Sequence, residues 1–147
     1  MRALLQRVNR ARVVVDGDEV GSIGVGWAIL LGIGPEDDEE KAGFLADKIM
    51  KLRAFEDAAG KMNLDAKQAE AEFLVISQVT LYADLSRGRR PGLAGAASPK
   101  LAESLVNHFA GLLRSAGFSV ATGRFGAYME VEIHNTGPVT FYLSTDE

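Results

Sequence analysis

The segment Leu74-Val75-Ile76-Ser77-Gln78-Val79-Thr80-Leu81-Tyr82 sets three polar side chains within four positions of an apolar run. Each polar group buried there needs a hydrogen-bond partner. Read as a strand over residues 73–82, Gln78 and Thr80 share one face and Ser77 takes the other. Two readings follow. The pair satisfies backbone in a neighbouring loop, or it forms the polar floor of a small pocket.

Two further segments could do chemistry. Asn135-Thr136-Gly137-Pro138-Val139-Thr140 contains a Gly-Pro step, usually a turn, whose isomer the sequence does not reveal. Gly123-Arg124-Phe125-Gly126-Ala127-Tyr128-Met129 has glycines around an Arg-Phe pair. That is a tight loop, or one that brings backbone close to a ligand, with an aromatic able to stack a base. Of the two histidines, His108 falls within a helical stretch and His134 ends a strand; neither is favoured as catalytic. Glu130 and Glu132 alternate with Met129, Val131 and Ile133, the pattern of a solvated strand face. The chain has no Gly-x-Ser-x-Gly elbow, no His-Glu-x-x-His, no P-loop and no dinucleotide fingerprint. The usual layouts of serine esterases, zinc hydrolases and nucleotide enzymes therefore have no foothold.

The elements that must position these residues can be read next. Strand-like stretches include Ala3, Leu5 and residues 11–15, followed by an Asp16-Gly17 turn signal. Residues 27–33 are short and apolar on both faces, as in a buried strand, and Gly34-Pro35 ends them. Asp37 with Glu40 resembles a capping box, and Leu45, Ile49 and Leu52 form one helical stripe. A second helix is expected from Ser98-Pro99, with Leu101, Leu105, Phe109 and Leu112 as its stripe and Gly117 as its terminator. Strands are expected over 118–122, 128–134 and 139–143, the last two as a hairpin closed by residues 135–138. The order β-β-β-α-β-α-β-β-β predicts an α/β class, a mixed-sheet, barrel-like domain with two main helices. Residues 1–147 read as one unit.

Composition sets bounds. Of 147 residues, 47% are hydrophobic, enough for a core without a metal or disulfide. The absence of cysteine excludes a thiol nucleophile and cysteine-ligated metal. No secretory leader or membrane span is expected. A net charge of −4 argues against broad contact with a nucleic-acid backbone. Arg87, Arg89 and Arg90 nevertheless cluster within four positions, with Lys100 beyond, either as a solvated loop or as a local grip on phosphate.

Taken together, these segments resemble the D-aminoacyl-tRNA deacylases. Ser77-Gln78-Val79-Thr80-Leu81-Tyr82 is similar to that family's Ser-Gln-Phe-Thr-Leu signature, and Asn135-Thr136-Gly137-Pro138-Val139-Thr140 to its Asn-x-Gly-Pro-Val-Thr signature. Shorter matches run along the chain: Met1-Arg2-Ala3, Gln6-Arg7-Val8, Gly60-Lys61-Met62-Asn63, Gly88-Arg89-Arg90-Pro91 and Thr122-Gly123. Val79 departs from the usual phenylalanine, Gly92-Leu93 from Ser-Phe, and Ala71-Glu72 from a glycine pair.

The resemblance implies a homodimeric, cytoplasmic hydrolase acting on the 3′ end of aminoacyl-tRNA. It implies no cofactor or metal and no DNA or membrane partner. Gly137-Pro138 is expected to be cis and to project into a partner's pocket, where its carbonyls occupy the space an L side chain needs. Arg7 is expected to hold that loop. Glycine has no side chain to exclude, so some glycyl-tRNA cleavage is implied. Gln78, Val79 and Thr80 are the implied catalytic segment, acting through backbone N–H groups on an oxyanion with help from the 2′-hydroxyl of the tRNA. Thr80 is read as positioning substrate, because no base stands beside it. Ser77, Phe125, Ala127 and Met129 are the implied substrate-binding residues. A module that binds aminoacyl-tRNA without cleaving it, and a dimer with a structural role, are the rival classes.

Overall fold

The computed structural model describes residues 1–146. Strand β1 (Arg2–Val15) turns at Asp16-Gly17 into β2 (Asp18–Ile23), and β3 (Gly26–Gly32) follows. Both turn residues have positive φ, 50° and 82°, as the tight hairpin signal requires. Helix α1 (Glu39–Lys51) carries the chain to a small hairpin, β4 (Phe55–Glu56) and β5 (Met62–Leu64), and then to β6 (Glu72–Ser77). Helix α2 (Pro99–Ser115) precedes β7 (Val120–Thr122) and the long β8 (Glu130–Ser144). The sheet order is β2-β1-β3-β6-β7, with β8 on β1. The β3–β6 and β6–β7 pairs are parallel and the pairs made by β1 are antiparallel.

The sheet is apolar on both faces, which explains the unbroken hydrophobic runs. Trp27, Ile29, Leu31, Phe73 and Val75 face Leu45 and Ile49 of α1 and Leu105, Phe109 and Leu113 of α2. Ala28, Leu74 and Ile76 point the other way, against Val8, Ala11, Val13 and Ile23. That second cluster fills the inside of a curled, nearly closed sheet. The curl brings β2 against β7: a Cβ on Gly21 would lie 2.4 Å from the Thr122 carbonyl oxygen.

The structure corrects four local expectations. The strand expected over 73–82 stops at Ser77, and Val79–Tyr82 is a 3₁₀ turn. Its partner β3 ends at Gly32, so no ladder remains to extend it. Residues 130–144 are one strand rather than a hairpin. Both halves pair with the same long β1, and only the middle leaves the ladder. Helix α1 is capped by Asp38, which accepts from the Lys41 amide, rather than by Asp37. The stripe of α2 buries Leu113 where Leu112 was expected, four residues on from Phe109. Ser98 and Pro99 do start that helix, and Gly117, at φ 97°, follows its end. The hairpin β4–β5 was not anticipated.

Candidate active site

Two features stand out, and they lie apart within one chain. The first is a cavity of about 370 Å³ lined by Ile33, Ser77, Val79, Ala97, Pro99, Ala102, Phe125, Gly126, Ala127 and Met129. Strand β6 delivers Ser77 at its end, and the 3₁₀ turn carries Val79 across the mouth, 48% exposed. The Ser98-Pro99 start of α2 supplies the opposite wall with small residues. Phe125 and Ala127 come from the loop before β8. That loop turns at Gly126, where φ is 76°. Gly123 lets Met129 fold over it, since a Cβ there would meet the Met129 sulfur at 2.6 Å.

Gln78 and Thr80 do not share a strand face as expected. The turn brings them together instead: Gln78 Nε2 donates to Thr80 Oγ1. The Gln78 amide makes the last ladder bond, to the Leu31 carbonyl (2.9 Å), and the Leu81 amide closes the turn on the Gln78 carbonyl (3.3 Å). The amides of Val79 and Thr80 come first in the turn, where helical N–H groups lack internal acceptors. Neither has an acceptor among the described residues. Two backbone donors thus stand free in the turn that carries Val79 to an apolar cavity, with a neutral hydroxyl–amide pair on either side of Val79. Such a site can polarise a carbonyl. It holds no evident general base: His134 is exposed on β8, and His108 on α2 lies 3.9 Å from Glu39. Neither lines the cavity. Glu132 pairs with Arg12 on the exposed face of the neighbouring strand.

The second feature is a bulge in β8. Gln6 and Arg10 of β1 pair with Thr140 and His134. Three residues of β1 therefore face five of β8, and the surplus, centred on Thr136-Gly137-Pro138, is pushed out. The signature residues close its base. Asn135 Nδ2 donates to Thr140 Oγ1 (2.9 Å), and Asn135 Oδ1 accepts from the Val139 amide (3.0 Å). Gly137 has φ 127°, the Gly137–Pro138 peptide is cis, and both residues are exposed. Arg7, almost fully buried, donates through Nε and Nη2 to the Thr136 carbonyl (3.2 and 3.1 Å) and through Nη1 to that of Ala54 (2.8 Å).

Of the expected site residues, Ser77, Val79, Phe125, Ala127 and Met129 thus meet at the cavity, while Gln78 and Thr80 flank Val79 in the chain without lining it. Arg7, Gly137 and Pro138 form a separate group and line no part of that cavity. Sequence reasoning missed Ile33, Ala97 and Ala102. Ala97 and Ala102 were signalled only by small residues around a helix start, and Ile33 only by its place at the end of a buried strand. Among the described residues no cluster of three or more His, Cys, Asp or Glu could hold a metal ion. No helix there is long and apolar enough to cross a membrane.

Known proteins similar to this chain identify its family and fold. A D-aminoacyl-tRNA deacylase of Symbiobacterium thermophilum is 50% identical over 147 residues, covering 100% of this chain and 97% of the relative. One of Dehalococcoides mccartyi is 52% identical over 145 residues, covering 99% and 95%. A solved structure described as a c-Myc DNA Unwinding Element Binding Protein superimposes with a TM-score of 0.94, at 38% identity and full coverage of both chains. Another, of a probable eukaryotic D-amino acid tRNA deacylase, shares the fold with a TM-score of 0.83 at 15% identity, over 97% of each chain. A family model described as D-Tyr-tRNA(Tyr) deacylase matches residues 4–144. Since that match takes in both the turn at Val79 and the bulge at Gly137, the chain belongs to the D-Tyr-tRNA(Tyr) deacylase family.

Proposed function

We propose that this protein hydrolyses the ester linking a D-amino acid to the 3′ end of tRNA, and spares L-aminoacyl-tRNA by steric exclusion. Family membership supports the reaction. One observation supports the exclusion: the Gly137-Pro138 tip is exposed and rigidly braced, yet it does not line the cavity at Ser77 and Val79 of its own chain. A wedge built to point outward needs a second copy to receive it. The protein in this reading is a homodimer, and each tip enters the partner's cavity beside Val79. Enantiomers carry the same groups, so a fixed obstacle discriminates between them better than an added attraction. Glycyl-tRNA passes the same test and is cleaved as well.

In the reaction, water adds to the ester carbonyl carbon. The amides of Val79 and Thr80 take the negative charge that develops on oxygen. The tetrahedral species then collapses, the bond to the ribose oxygen breaks, and that oxygen takes a proton. Thr80 and Gln78 hold the ester, while Ser77, Phe125, Ala127 and Met129 bound the rest of the substrate. With no base beside the Thr80 hydroxyl, the 2′-hydroxyl of the terminal ribose places the water. Arg87, Arg89 and Arg90, all exposed, grip the acceptor end. The substrate places the enzyme in the cytoplasm.

The deciding measurement compares D- and L-tyrosyl-tRNA at enzyme concentrations far below substrate, with the assembly state read by light scattering. Multiple turnovers of the D ester alone, by a dimer, are expected. Binding without turnover, or equal cleavage of both esters, would overturn the reading.

A further inference from the structure

The turn that offers the Val79 and Thr80 amides is four residues long, and those two residues are exposed. So short a turn cannot fix its own position, yet oxyanion donors must be held within about 0.5 Å of the productive geometry. Something outside the turn has to hold it.

One side is closed by the end of β3. A Cβ on Gly32 would lie 2.9 Å from Leu81 Cβ and 3.1 Å from the Gln78 carbonyl oxygen. A Cβ on Gly34 would lie 2.9 Å from the Tyr82 ring. The turn therefore packs directly on glycine backbone.

The other side is closed by Arg2. Its Nη1 donates to the Leu81 carbonyl (2.8 Å), and its guanidinium carbon stands 4.1 Å from the Tyr82 ring centroid, within cation–π range. Arg2 is itself oriented by Asp146, whose Oδ2 accepts from Nε at 2.8 Å. Asp146 also accepts from the Tyr82 hydroxyl (3.1 Å) and from the Met1 ammonium (3.2 Å). That ammonium donates to buried Asp37 (2.7 Å), whose other oxygen accepts from the Gly34 amide (2.6 Å). The network thus closes on the same strand end that supports the turn from below. None of these side chains lines the cavity.

We propose that Arg2 is a positioning residue for catalysis: it sets the Val79 and Thr80 amides by clamping Leu81 and Tyr82, and Asp146 aims it. This rests on the deacylase reading, in which those amides stabilise the oxyanion. A guanidinium suits the task because its planar fork serves a carbonyl, a carboxylate and a ring face at once.

The test compares the full-length parent with Arg2→Ala, Arg2→Lys and Tyr82→Phe. Lys51→Ala, which removes an exposed helix ion pair, is the control. Kinetics on D-tyrosyl-tRNA are taken well below each unfolding midpoint, and backbone amide exchange at Leu81 and Ala83 is followed by NMR. Arg2→Ala is expected to lower kcat about ten- to a hundred-fold, the size of effect a misplacement near 1 Å produces. KM should change much less than kcat, because the contacts of Ser77, Phe125, Ala127 and Met129 lie outside the turn. Exchange at Leu81 and Ala83 should quicken. Arg2→Lys should recover part of kcat, and Tyr82→Phe should lose a few-fold. A lower melting temperature with kcat and amide exchange unchanged in Arg2→Ala would overturn the proposal. If that variant does not fold, unchanged kcat and exchange in both Arg2→Lys and Tyr82→Phe would overturn it. A parent that turns over no D-aminoacyl-tRNA sinks the deacylase reading, and the catalytic role with it; exchange at Leu81 and Ala83 reports separately whether Arg2 clamps the turn.

Discussion

Arg7 and Thr136 lie 129 residues apart in the chain, and two nitrogens of one guanidinium hold the single carbonyl of the other, at 3.1 and 3.2 Å. The contact fixes the bulge at its outer shoulder, while Asn135 and Thr140 close its base. The tip is therefore stiff although both of its residues face solvent. Stiffness is what a steric filter needs, since a loop that yields also admits the wrong enantiomer.

Arg7→Ala should remove that support and leave the Thr136 and Ala54 carbonyls without their donor. The Ala54 carbonyl is buried, and orphaning it costs about 1–3 kcal/mol. A lower urea midpoint is expected, together with measurable cleavage of L-tyrosyl-tRNA. Arg7→Lys should recover only part of either, because an ammonium cannot reproduce the fork. Unaltered sparing of the L ester by a folded Arg7→Ala would separate Arg7 from chirality.

Gly137→Ala meets two obstacles. The backbone there has φ 127°, which L side chains rarely adopt. The new Cβ would lie 2.9 Å from Val139 Cγ2 and 3.1 Å from Arg7 Nη2. A loss of about 1–3 kcal/mol is expected, read by thermal or urea unfolding. The ratio of D to L cleavage should fall in the same variant. An unchanged midpoint and ratio would count against the tip as the filter.

Thr80→Ala removes a hydroxyl that accepts from Gln78 and leaves the backbone amide in place. If the hydroxyl only positions the ester, kcat/KM should fall by less than about a hundred-fold, near 2.7 kcal/mol of transition-state stabilisation. Complete loss with native circular dichroism would instead make Thr80 the nucleophile.

Acid should loosen the clamp on the turn. Burial pushes the Asp146 carboxyl up, but hydrogen bonds from Arg2, the N-terminal ammonium and Tyr82, with the charge of that ammonium, hold it below its ordinary 3.8. A carboxyl depressed in the folded state stabilises fully above its unfolded value and loses that contribution as pH falls through the lower folded one. Asp146→Asn should therefore be less stable than the parent near neutrality, by about 1 kcal/mol or less given its exposure to screening solvent. The gap should close from just above 3.8 downward. Urea titrations across that range would show it. The Tyr82 hydroxyl does not share this transition: burial first, then the Asp37 and Asp146 carboxylates, keep its ionisation well above the usual range.

Arg89→Ala with Arg90→Ala should weaken binding of tRNA and flatten its dependence on salt, by about 0.7 in the logarithmic slope for each single-strand phosphate that is no longer neutralised. Duplex DNA is the informative comparison, since one similar structure is described as a DNA unwinding element binding protein. Equal affinity for tRNA and duplex, with slopes indifferent to the two arginines, would rule out the acceptor-end grip.

What the sequence determined alone was whatever depends on near neighbours or on strict pattern. The Asp16-Gly17 turn, the Ser98-Pro99 helix start and the doubly buried β3 were legible because backbone preference and hydrophobic periodicity are local. The two signatures marked the segments that leave the sheet, the turn at Val79 and the bulge at Gly137. Tertiary structure decided the rest, because a strand persists only where a partner ladder continues. Gln78 leaves the strand conformation where β3 runs out, at Gly32. The Asn135–Thr140 segment becomes a bulge rather than a turn because β1 accepts both of its flanks. Asp37, a plausible cap by spacing, is drawn inward by an ammonium 36 residues away. Arg2 gained its place over Tyr82 in the same way. Such pairings are set by which distant groups the folded sheet brings within hydrogen-bond reach, and no local pattern encodes that.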